Sequence, residues 1–223
     1  MKTAKAIALP FPSERIQGFL HRPDGNSKFG LVITHGAGSN CNAPLLIAIS
    51  DAFSSAGFTV LRCNLAFRQR RSSGPPFPAA AIEDRRSLRQ SVEELRKIVN
   101  GPLFLGGHSY GGRQSSMLAA EDPAICDGLL LFSYPLHPPN KPSEKRVAHF
   151  PTLRVASLFV HGTKDPFGSV DELADALRLI PARHELSSIA NAGHDLMRGR
   201  FDIGHQVIRP FLALTSQPTT LYS

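Results

Sequence analysis

The chain of 223 residues is 42 % hydrophobic and 19 % charged, a composition that is typical of a folded globular protein and excludes a disordered or fibrous chain. No apolar run is long enough to span a membrane or to form a secretory signal, and the three widely spaced cysteines are typical of reduced thiols in the cytoplasm. The formal net charge is +7, but no nucleic-acid-binding motif accompanies it, so we expect a solvated basic surface. These properties predict one cytoplasmic domain over residues 1–223, with neither a membrane nor a nucleic-acid partner.

Short apolar runs alternate with helical patterns along the chain, which predicts a mostly parallel sheet with helices on both faces. Most of the main runs are almost continuously apolar, as in strands that are covered on both faces. Two weaker runs, near 3–9 and 15–21, are predicted to add an antiparallel edge. The predicted main strands are 29–36, 58–64, 102–108, 127–134, 156–162 and 183–190.

Helical periodicity occupies the segments between the predicted strands. The first helix is predicted to stop at Gly57, and the fourth begins with a Ser-x-x-Glu capping box at 169–172. The Pro-rich segment 134–142 is interpreted as a loop rather than a domain boundary. The predicted helices are 43–57, 79–99, 110–121, 169–180 and 205–215.

One short segment, GGHSYGG at 106–112, lies between a predicted strand and a predicted helix. It contains the pattern G-x-S-x-G around Ser109, in the strand–turn–helix context of a nucleophile elbow. A serine on such a sharp, strained turn needs neighbours without a Cβ, and the turn exposes its hydroxyl at the carboxyl end of the sheet. The alternative is a glycine-rich connection with an incidental serine. The flanking strand and helix favour the elbow.

A nucleophilic serine needs a base, and the base needs an acidic residue that orients it. In α/β-hydrolases the three residues follow in the order Ser, Asp or Glu, His. Asp165 comes just after the predicted strand 156–162, and His194 comes after the last predicted strand. Because carboxyl ends of parallel strands share one edge of the sheet, both residues are expected near Ser109. We therefore predict the catalytic triad Ser109, Asp165 and His194.

Other acidic residues and histidines compete for these roles. Asp195 adjoins His194, and Asp171 lies inside a predicted helix, so both are interpreted as solvated or structural. The histidines at strand ends are interpreted as hydrogen-bonded structural residues; they are His35, His108 and His161. No two histidines have the helical spacing of metal ligands, and we predict neither a metal nor another cofactor.

The segment THGAGSN at 34–40 follows the first main strand. An HG-x-G turn at this place can direct backbone N–H groups at the oxygen of an acyl group. The predicted oxyanion-hole donors are the amides of Ala37 and Tyr110, the residue after the serine. A plain turn is the alternative, and its position after the strand makes that alternative weaker.

The motifs HGAG, GHSYGG, HGTKDPFG and AGHDL resemble, in this order, those of the α/β-hydrolase superfamily, and more narrowly those of dienelactone-hydrolase-related proteins. The segments LRCNLAFRQRR, GHSYGGRQSS and YPLHPPNKP are similar to the hydrolase-like domain family shared by a testis-expressed protein and a subunit of a chromatin acetyltransferase complex. The resemblance covers about residues 29–212. It implies a three-layer α/β-hydrolase fold with a serine hydrolase site. Dienelactone hydrolases proper use a cysteine where this chain has Ser109, so that particular activity is not expected.

Lid domains in this superfamily usually follow the strand that corresponds to 127–134. Only about twenty residues separate this strand from the next, little more than a crossover needs. We therefore expect no substantial cap and an open site for a small substrate. The predicted substrate-contacting residues lie on loops at the carboxyl edge; they are Gly36, Leu65, Phe67, Arg68, Tyr110, Leu136 and Phe167.

Several arginines are predicted close to this edge, namely Arg68, Arg70, Arg71 and Arg113. One of the first three can attract a carboxylate-bearing ester, but a solvated surface is the favoured interpretation. The same two alternatives apply to Arg113.

The motifs together predict a capless serine hydrolase that cleaves a small ester or thioester through an acyl-enzyme intermediate. A non-catalytic binding or scaffold protein on a hydrolase fold is an alternative from another class, since some relatives act through binding. A peptidase or an acyltransferase would use the same triad and differ only in the leaving group or acceptor.

Overall fold

The computed structural model describes residues 8–13, 15–196 and 202–216. Within these ranges eight strands form one sheet; they are β1 (Ala8–Pro10), β2 (Gly18–His21), β3 (Phe29–Thr34), β4 (Phe58–Cys63), β5 (Leu103–His108), β6 (Gly128–Phe132), β7 (Ser157–Gly162) and β8 (His184–Ile189). The α-helices of the described ranges are α1 (Pro44–Ser55), α2 (Ala66–Arg70), α3 (Ala80–Arg96), α4 (Tyr110–Glu121), α5 (Val170–Leu177) and α6 (Ile203–Thr215).

The strands lie across the sheet in the order β1-β2-β4-β3-β5-β6-β7-β8. From β4 to β8 all neighbours are parallel, whereas β1 pairs with β2, and β2 with β4, in antiparallel fashion. This confirms the predicted parallel sheet with an antiparallel edge. Residues 3–7 of the weak strand predicted at 3–9 lie outside the described residues. The parallel strands end at one edge, which carries the loops after β3, β5, β7 and β8.

Helices cover both faces of the sheet, and side chains alternate between the two layers along each central strand. In β5, Leu103 and Leu105 belong to one buried hydrophobic cluster together with Leu88 of α3, whereas Phe104 belongs to a second cluster together with Phe53 of α1. The first cluster also contains side chains of α4 and α5, and the second contains side chains of α6. The result is three layers, α/β/α, as predicted.

The predicted starts of two helices, α5 and α4, are confirmed. Ser169 and Glu172 form the predicted capping box at α5: the amide of Glu172 donates to the Ser169 hydroxyl (3.2 Å), and the amide of Ser169 donates to Glu172 Oε2 (2.8 Å). α4 starts at Tyr110, directly after the candidate nucleophile. The short α2 was not predicted, because five residues are too few to show a helical period.

The connection between β6 and β7, residues 133–156, contains a single 3-10 turn at Phe150–Thr152 and no cap domain. Tyr134 at its start is buried, and its hydroxyl donates to the carbonyl of Arg146 (2.6 Å), so the connection is held against the domain. Across the described ranges no helix is long and apolar enough to cross a bilayer.

Candidate active site

Ser109 occupies the turn between β5 and α4. Its backbone has φ 52° and ψ −117°, a left-handed conformation that a residue with a side chain rarely adopts. The turn is held on both sides, because the Ser109 amide donates to the Phe132 carbonyl (2.8 Å) and the Ser109 carbonyl accepts from the Arg113 amide (2.9 Å). The strained turn places the hydroxyl at the carboxyl edge of the sheet.

The glycines around this turn are required by close backbone contacts. A Cβ on Gly107 would lie 2.8 Å from the carbonyl carbon of Gly111, and a Cβ on Gly111 would lie 2.5 Å from the carbonyl oxygen of His35. A Cβ on Gly106 would lie 2.2 Å from the carbonyl oxygen of Leu130. All three distances are far below van der Waals contact. The glycine-rich segment is therefore a steric requirement of the turn, as the sequence indicated.

The three predicted triad residues lie together at this edge. Nε2 of His194 is 2.8 Å from Oγ of Ser109, and Nδ1 of His194 is 2.8 Å from Oδ2 of Asp165. A carboxylate can only accept, so Nδ1–H donates to Asp165 and the lone pair of Nε2 faces the serine hydroxyl. This arrangement can transfer the proton of Ser109 to His194 and stabilise the resulting imidazolium.

The supporting contacts fix both partners of the imidazole. The side chain of Asp165 is fully buried, and its second oxygen accepts from the amide of Phe167 (2.9 Å). The ring of Phe167 lies against the ring of His194, with centroids 4.3 Å apart. His108 holds the backbone: its Nε2–H donates to the carbonyl oxygen of His194 (2.7 Å). Burial lowers the pKa of His108 to about 4, so this ring stays neutral and adds no charge beside the candidate base.

Two backbone amides are positioned as the candidate oxyanion hole. Tyr110 is the first residue of α4, where amides have no acceptor within the helix. The carbonyl of Gly36 accepts from Nδ1–H of His35 (2.8 Å) and from the amide of Ser39 (3.1 Å). The carbonyl of Gly36 and the N–H of Ala37 belong to the same peptide group. Because N–H and C=O of a trans peptide point in opposite directions, the two hydrogen bonds to the carbonyl fix the N–H of Ala37 pointing away from His35 and Ser39. Ala37, Tyr110 and Ser109 line the same cavity.

His35 supports this loop from inside the core. Burial lowers the pKa of His35 to about 4, so the ring is neutral at pH 7. Its Nε2 accepts from the amide of Leu65 (3.2 Å), which leaves the proton on Nδ1 for Gly36. The structural role predicted for His35 therefore includes orienting the peptide of Ala37.

A buried carboxylate holds the side chain of Tyr110, the residue that supplies the second candidate amide. No sequence pattern had indicated this carboxylate. Asp84 of α3 accepts from the hydroxyl of Tyr110 (2.8 Å) and from the amide of Phe67 (2.9 Å). Burial raises the pKa of both Asp84 and Tyr110, which keeps the phenol protonated and donating. The contact ties α3 to α2 and to the start of α4.

A cavity of about 540 Å³ opens in front of Ser109, a volume that suits a small organic ligand. Four of the predicted site residues line it, namely Ala37, Ser109, Tyr110 and Phe167. The remaining wall consists of Pro75, Pro76, Phe77, Pro78, Ala81, Arg113, Met117, Pro135 and Arg146.

The other predicted substrate contacts do not line this cavity. Leu65 and Leu136 are fully buried in the core. Phe67 is also buried, with its ring against those of His35 and Tyr110. Gly36, a further predicted contact, lies in the loop 35–43 after β3, which carries the candidate donor amide of Ala37 and is called the oxyanion loop below. Leu65, Phe67 and Leu136 thus point into the core, and residues 75–78 form that part of the cavity wall instead.

Arg68 was expected either at the substrate or on a solvated surface, and the structure places it in neither position. It is 5 % exposed, and its guanidinium donates to the carbonyls of Ala37, Ser39, Arg71 and Gly74. This side chain therefore joins the oxyanion loop to the loop after α2.

The two arginines after Arg68 lie on the outer side of α2. Arg70 is exposed and forms an ion pair with Glu83 (3.3 Å), and the guanidinium of Arg71 lies over the exposed ring of Phe77 (4.6 Å). These positions agree with a solvated basic surface.

The remaining histidine at a strand end, His161, lies behind the candidate triad. Its Nε2–H donates to the carbonyl of Gly168 (2.8 Å), and its Nδ1 lies 3.9 Å from Oδ2 of Asp165, beyond hydrogen-bond distance. The three free cysteines are buried, and burial raises the pKa of Cys63 and Cys126 to about 12, so these thiols are unreactive. Within the described part of the chain, no group of three His, Cys, Asp or Glu side chains can hold a metal ion.

A three-layer α/β domain with a strained serine between β5 and α4, and with an Asp–His–Ser hydrogen-bond chain at the carboxyl edge, defines the α/β-hydrolase fold. The chain belongs to the family of α/β-hydrolase domains, whose profile matches residues 27–205.

Solved structures share this fold at low sequence identity. Dienelactone hydrolase from Anabaena variabilis has a TM-score of 0.69 and 18% identity, over 93% of this chain and 95% of that one. Est1E from Butyrivibrio proteoclasticus has a TM-score of 0.73 and 15% identity, over 96% and 100% of the two chains. XC6422 from Xanthomonas campestris, described as a serine hydrolase without a lid, has a TM-score of 0.67 and 17% identity, over 96% and 98%.

Proposed function

We propose that the protein is a serine hydrolase that cleaves a small ester or thioester through an acyl-enzyme intermediate. The observation that carries this proposal is the continuous hydrogen-bond chain from Asp165 through His194 to Ser109, with 2.8 Å at each step. A serine with a purely structural role needs neither a base nor a buried carboxylate behind that base. It also does not need the strained backbone that Ser109 adopts.

In the proposed reaction, Nε2 of His194 takes the proton of Ser109 while Oγ attacks the carbonyl carbon of the substrate. Asp165 stabilises the imidazolium that forms. The amides of Ala37 and Tyr110 donate to the oxyanion, and each such donor typically contributes about 3 kcal/mol to transition-state stabilisation. Collapse of the intermediate breaks the bond to the alcohol or thiol, which leaves with the proton from His194 and leaves an acyl group on Ser109.

The acyl group is released by the same residues in a second step. His194 takes a proton from water, and the hydroxide oxygen attacks the acyl carbon. The second tetrahedral intermediate uses the same two amides. When it collapses, the carboxylic acid leaves and Ser109 regains its proton from His194.

The size and openness of the site support a small substrate. The cavity of about 540 Å³ is not covered by a cap domain. Among structural neighbours, one is a dienelactone hydrolase and another, Est1E, has been solved with ferulic acid bound. Both names agree with chemistry on small acyl compounds. The narrower resemblance to the testis-expressed and acetyltransferase-complex family, and a cytoplasmic location, stay predictions.

Labelling with a fluorophosphonate probe tests the nucleophile. The wild-type protein is expected to be labelled, and Ser109→Ala is expected to abolish labelling. Ser116→Ala is a matched control, because Ser116 Oγ also lies 2.8 Å from a histidine nitrogen, Nε2 of His149. Burial, together with the charge of Arg113, lowers the pKa of His149 to about 4, and no carboxylate of the described residues pairs with it. Ser116→Ala is therefore expected to label like the wild type.

The outcomes separate the proposal from its alternatives. Labelling that persists in Ser109→Ala would show that another residue is the nucleophile. A wild-type protein that is neither labelled nor active on short-chain esters, thioesters and amides would favour the binding or scaffold alternative. Preference for amides, or transfer of the acyl group to an added acceptor, would favour a peptidase or an acyltransferase.

A further inference from the structure

Two arginines from separate elements line the cavity in front of Ser109. Arg113 lies one turn into α4, and its amide donates to the carbonyl of Ser109 (2.9 Å). Arg146 belongs to the connection between β6 and β7, and its amide donates to the carbonyl of Leu136 (2.7 Å). The fold therefore brings two guanidinium groups to the cavity that also contains the candidate nucleophile.

The positive charge of this pair is not neutralised by the described part of the protein. No Asp or Glu lines the cavity, and the ion pairs of the described residues involve neither Arg113 nor Arg146. Arg85, on the neighbouring α3, contrasts with them because its guanidinium pairs with Glu121 (2.9 Å). The cavity is therefore lined by two positive charges and by no carboxylate of the described residues.

The guanidinium groups of the two arginines also have more N–H donors than acceptors within the described part of the protein. Nε of Arg113 is buried and has no hydrogen-bond partner. Nη1 of Arg146 makes one long contact, to the carbonyl of Pro135 (3.4 Å). Burial and the charge of Arg113 lower the pKa of Arg146, as expected for two cations that lie close together, and they outweigh the opposite effect of Glu144, which pairs with Lys141 (2.9 Å). A buried N–H without an acceptor is unfavourable, and an anion toward which the partly exposed Arg113 side chain reorients would satisfy it.

We propose that Arg113 and Arg146 form a subsite for an anionic group, and that the substrate is a small ester or thioester that carries a carboxylate or a phosphate on the part that fills this cavity. The inference rests on the proposed function and names its substrate class. Guanidinium groups bind both anions through paired N–H donors. Because Ser109 and both arginines line one cavity of about 540 Å³, we expect the anion to lie a few bonds from the carbonyl that Ser109 attacks, as in a short dicarboxylate half-ester.

Two pairs of matched esters test the subsite. One pair places the charge on the acyl part, with mono-4-nitrophenyl glutarate against 4-nitrophenyl valerate. The other places it on the alcohol part, with 4-acetoxybutanoate against pentyl acetate. The wild type is expected to have a kcat/KM at least about 10-fold higher for the anionic member of one pair, since a charge-assisted hydrogen bond has this magnitude. Inhibition of valerate-ester hydrolysis by glutarate or by propyl phosphate distinguishes a carboxylate from a phosphate.

The arginine variants locate the preference. Arg113→Gln and Arg146→Gln are each expected to lower the ratio of anionic to neutral kcat/KM about 10-fold. Arg178→Gln, at an arginine that is 81% exposed, makes the same change in net charge and is expected to leave the ratio unchanged. Higher salt should also lower the wild-type ratio. If one cavity variant does not fold, the other variant and the salt dependence still decide.

The outcomes keep the subsite distinct from the proposed function. Hydrolysis that requires Ser109 but shows no anionic preference in either pair, and no inhibition by either anion, overturns the subsite and leaves the proposed function intact. If no ester is hydrolysed, the binding of glutarate and propyl phosphate to Ser109→Ala is measured by calorimetry. Binding that a second substitution, Arg113→Gln, weakens supports the subsite, and absence of binding overturns it.

Discussion

Replacement of Arg68 by methionine tests whether this buried side chain holds the oxyanion loop. Its guanidinium donates to the carbonyls of Ser39 (2.7 Å), Gly74 (2.9 Å), Ala37 (3.0 Å) and Arg71 (3.1 Å). At about 1 kcal/mol net for each hydrogen bond, the four contribute about 4 kcal/mol. Removal of a buried charge that pairs with no carboxylate of the described residues offsets part of this. We expect the free energy of unfolding to fall by about 2–4 kcal/mol.

The same substitution is expected to lower kcat, because two of the four carbonyls, those of Ala37 and Ser39, belong to the loop that carries the candidate donor amide of Ala37. Loss of one oxyanion donor costs about 10²–10³ in kcat, so a loosened donor should cost about 10–100-fold. Urea unfolding gives the stability, and steady-state hydrolysis of a neutral nitrophenyl ester gives kcat. Arg68→Lys keeps the charge but not the fork of donors, so it should recover little of either loss. Arg86→Met, at an arginine that is 71% exposed, is the matched control.

Two results would refute this reasoning. If Arg68→Met lowered the free energy of unfolding by less than about 1 kcal/mol, the four bonds would be exchanged for water at almost no cost. If kcat stayed within about twofold of the wild type, the amide of Ala37 would be held by other contacts or would not donate to the oxyanion.

Three further perturbations act on other parts of the site. Asp165→Asn is expected to lower kcat about 10⁴-fold in ester hydrolysis, because an amide can donate to Nδ1 of His194 and so favours the wrong tautomer. Gly111→Ala is expected to destabilise the fold by about 3 kcal/mol or more in urea unfolding, since the new Cβ would lie 2.5 Å from a backbone oxygen. Lowering the pH from about 7 to about 5 should lower the free energy of unfolding. His35 and His108 have pKa values of about 4 in the folded protein against 6.5 ordinarily, so the unfolded chain takes up protons first. Each contributes up to about 1.4 kcal/mol per pH unit between these two values.

The controls for these perturbations are direct. Circular dichroism of Asp165→Asn should match the wild type, and near-normal turnover by a folded variant would contradict the role of the carboxylate. A stable Gly111→Ala variant would mean that the turn can open without cost. Equal free energies of unfolding at both pH values would contradict the lowered pKa of the two histidines.

The positions of the candidate triad residues could be predicted because a local pattern combines with a rule of topology. The strand, turn and helix around Ser109 are visible in a short window of sequence. Asp165 and His194 were identified by their places after the last two strands, since the carboxyl ends of parallel strands meet at one edge. No side-chain detail was needed for this step. The oxyanion loop, after β3, followed from the same rule.

The residues that support the site were not predictable, because their partners are distant in the sequence. Nothing near Arg68 indicates that two loops cover it, and a charged side chain after a strand is usually solvated. Asp84 looks like one more charged residue on an amphipathic helix, yet it is fully buried beneath Tyr110. Sequence spacing likewise contains no sign that Arg113 and Arg146 share a cavity. Such contacts depend on how loops fold over the sheet edge.

The candidate base follows β8, which is the last strand of the sheet and, among the described residues, pairs on one side only, with β7. Most of β8 is partly exposed, with only Ile189 buried, whereas the central β5 that carries Ser109 is almost entirely buried. Local opening needs least free energy at such margins. Fraying of β8 would withdraw His194 while the turn at Ser109 stays intact. Under mild denaturant or heat, turnover would thus end before the domain unfolds, and the working range of the protein would follow its weakest strand rather than its global stability.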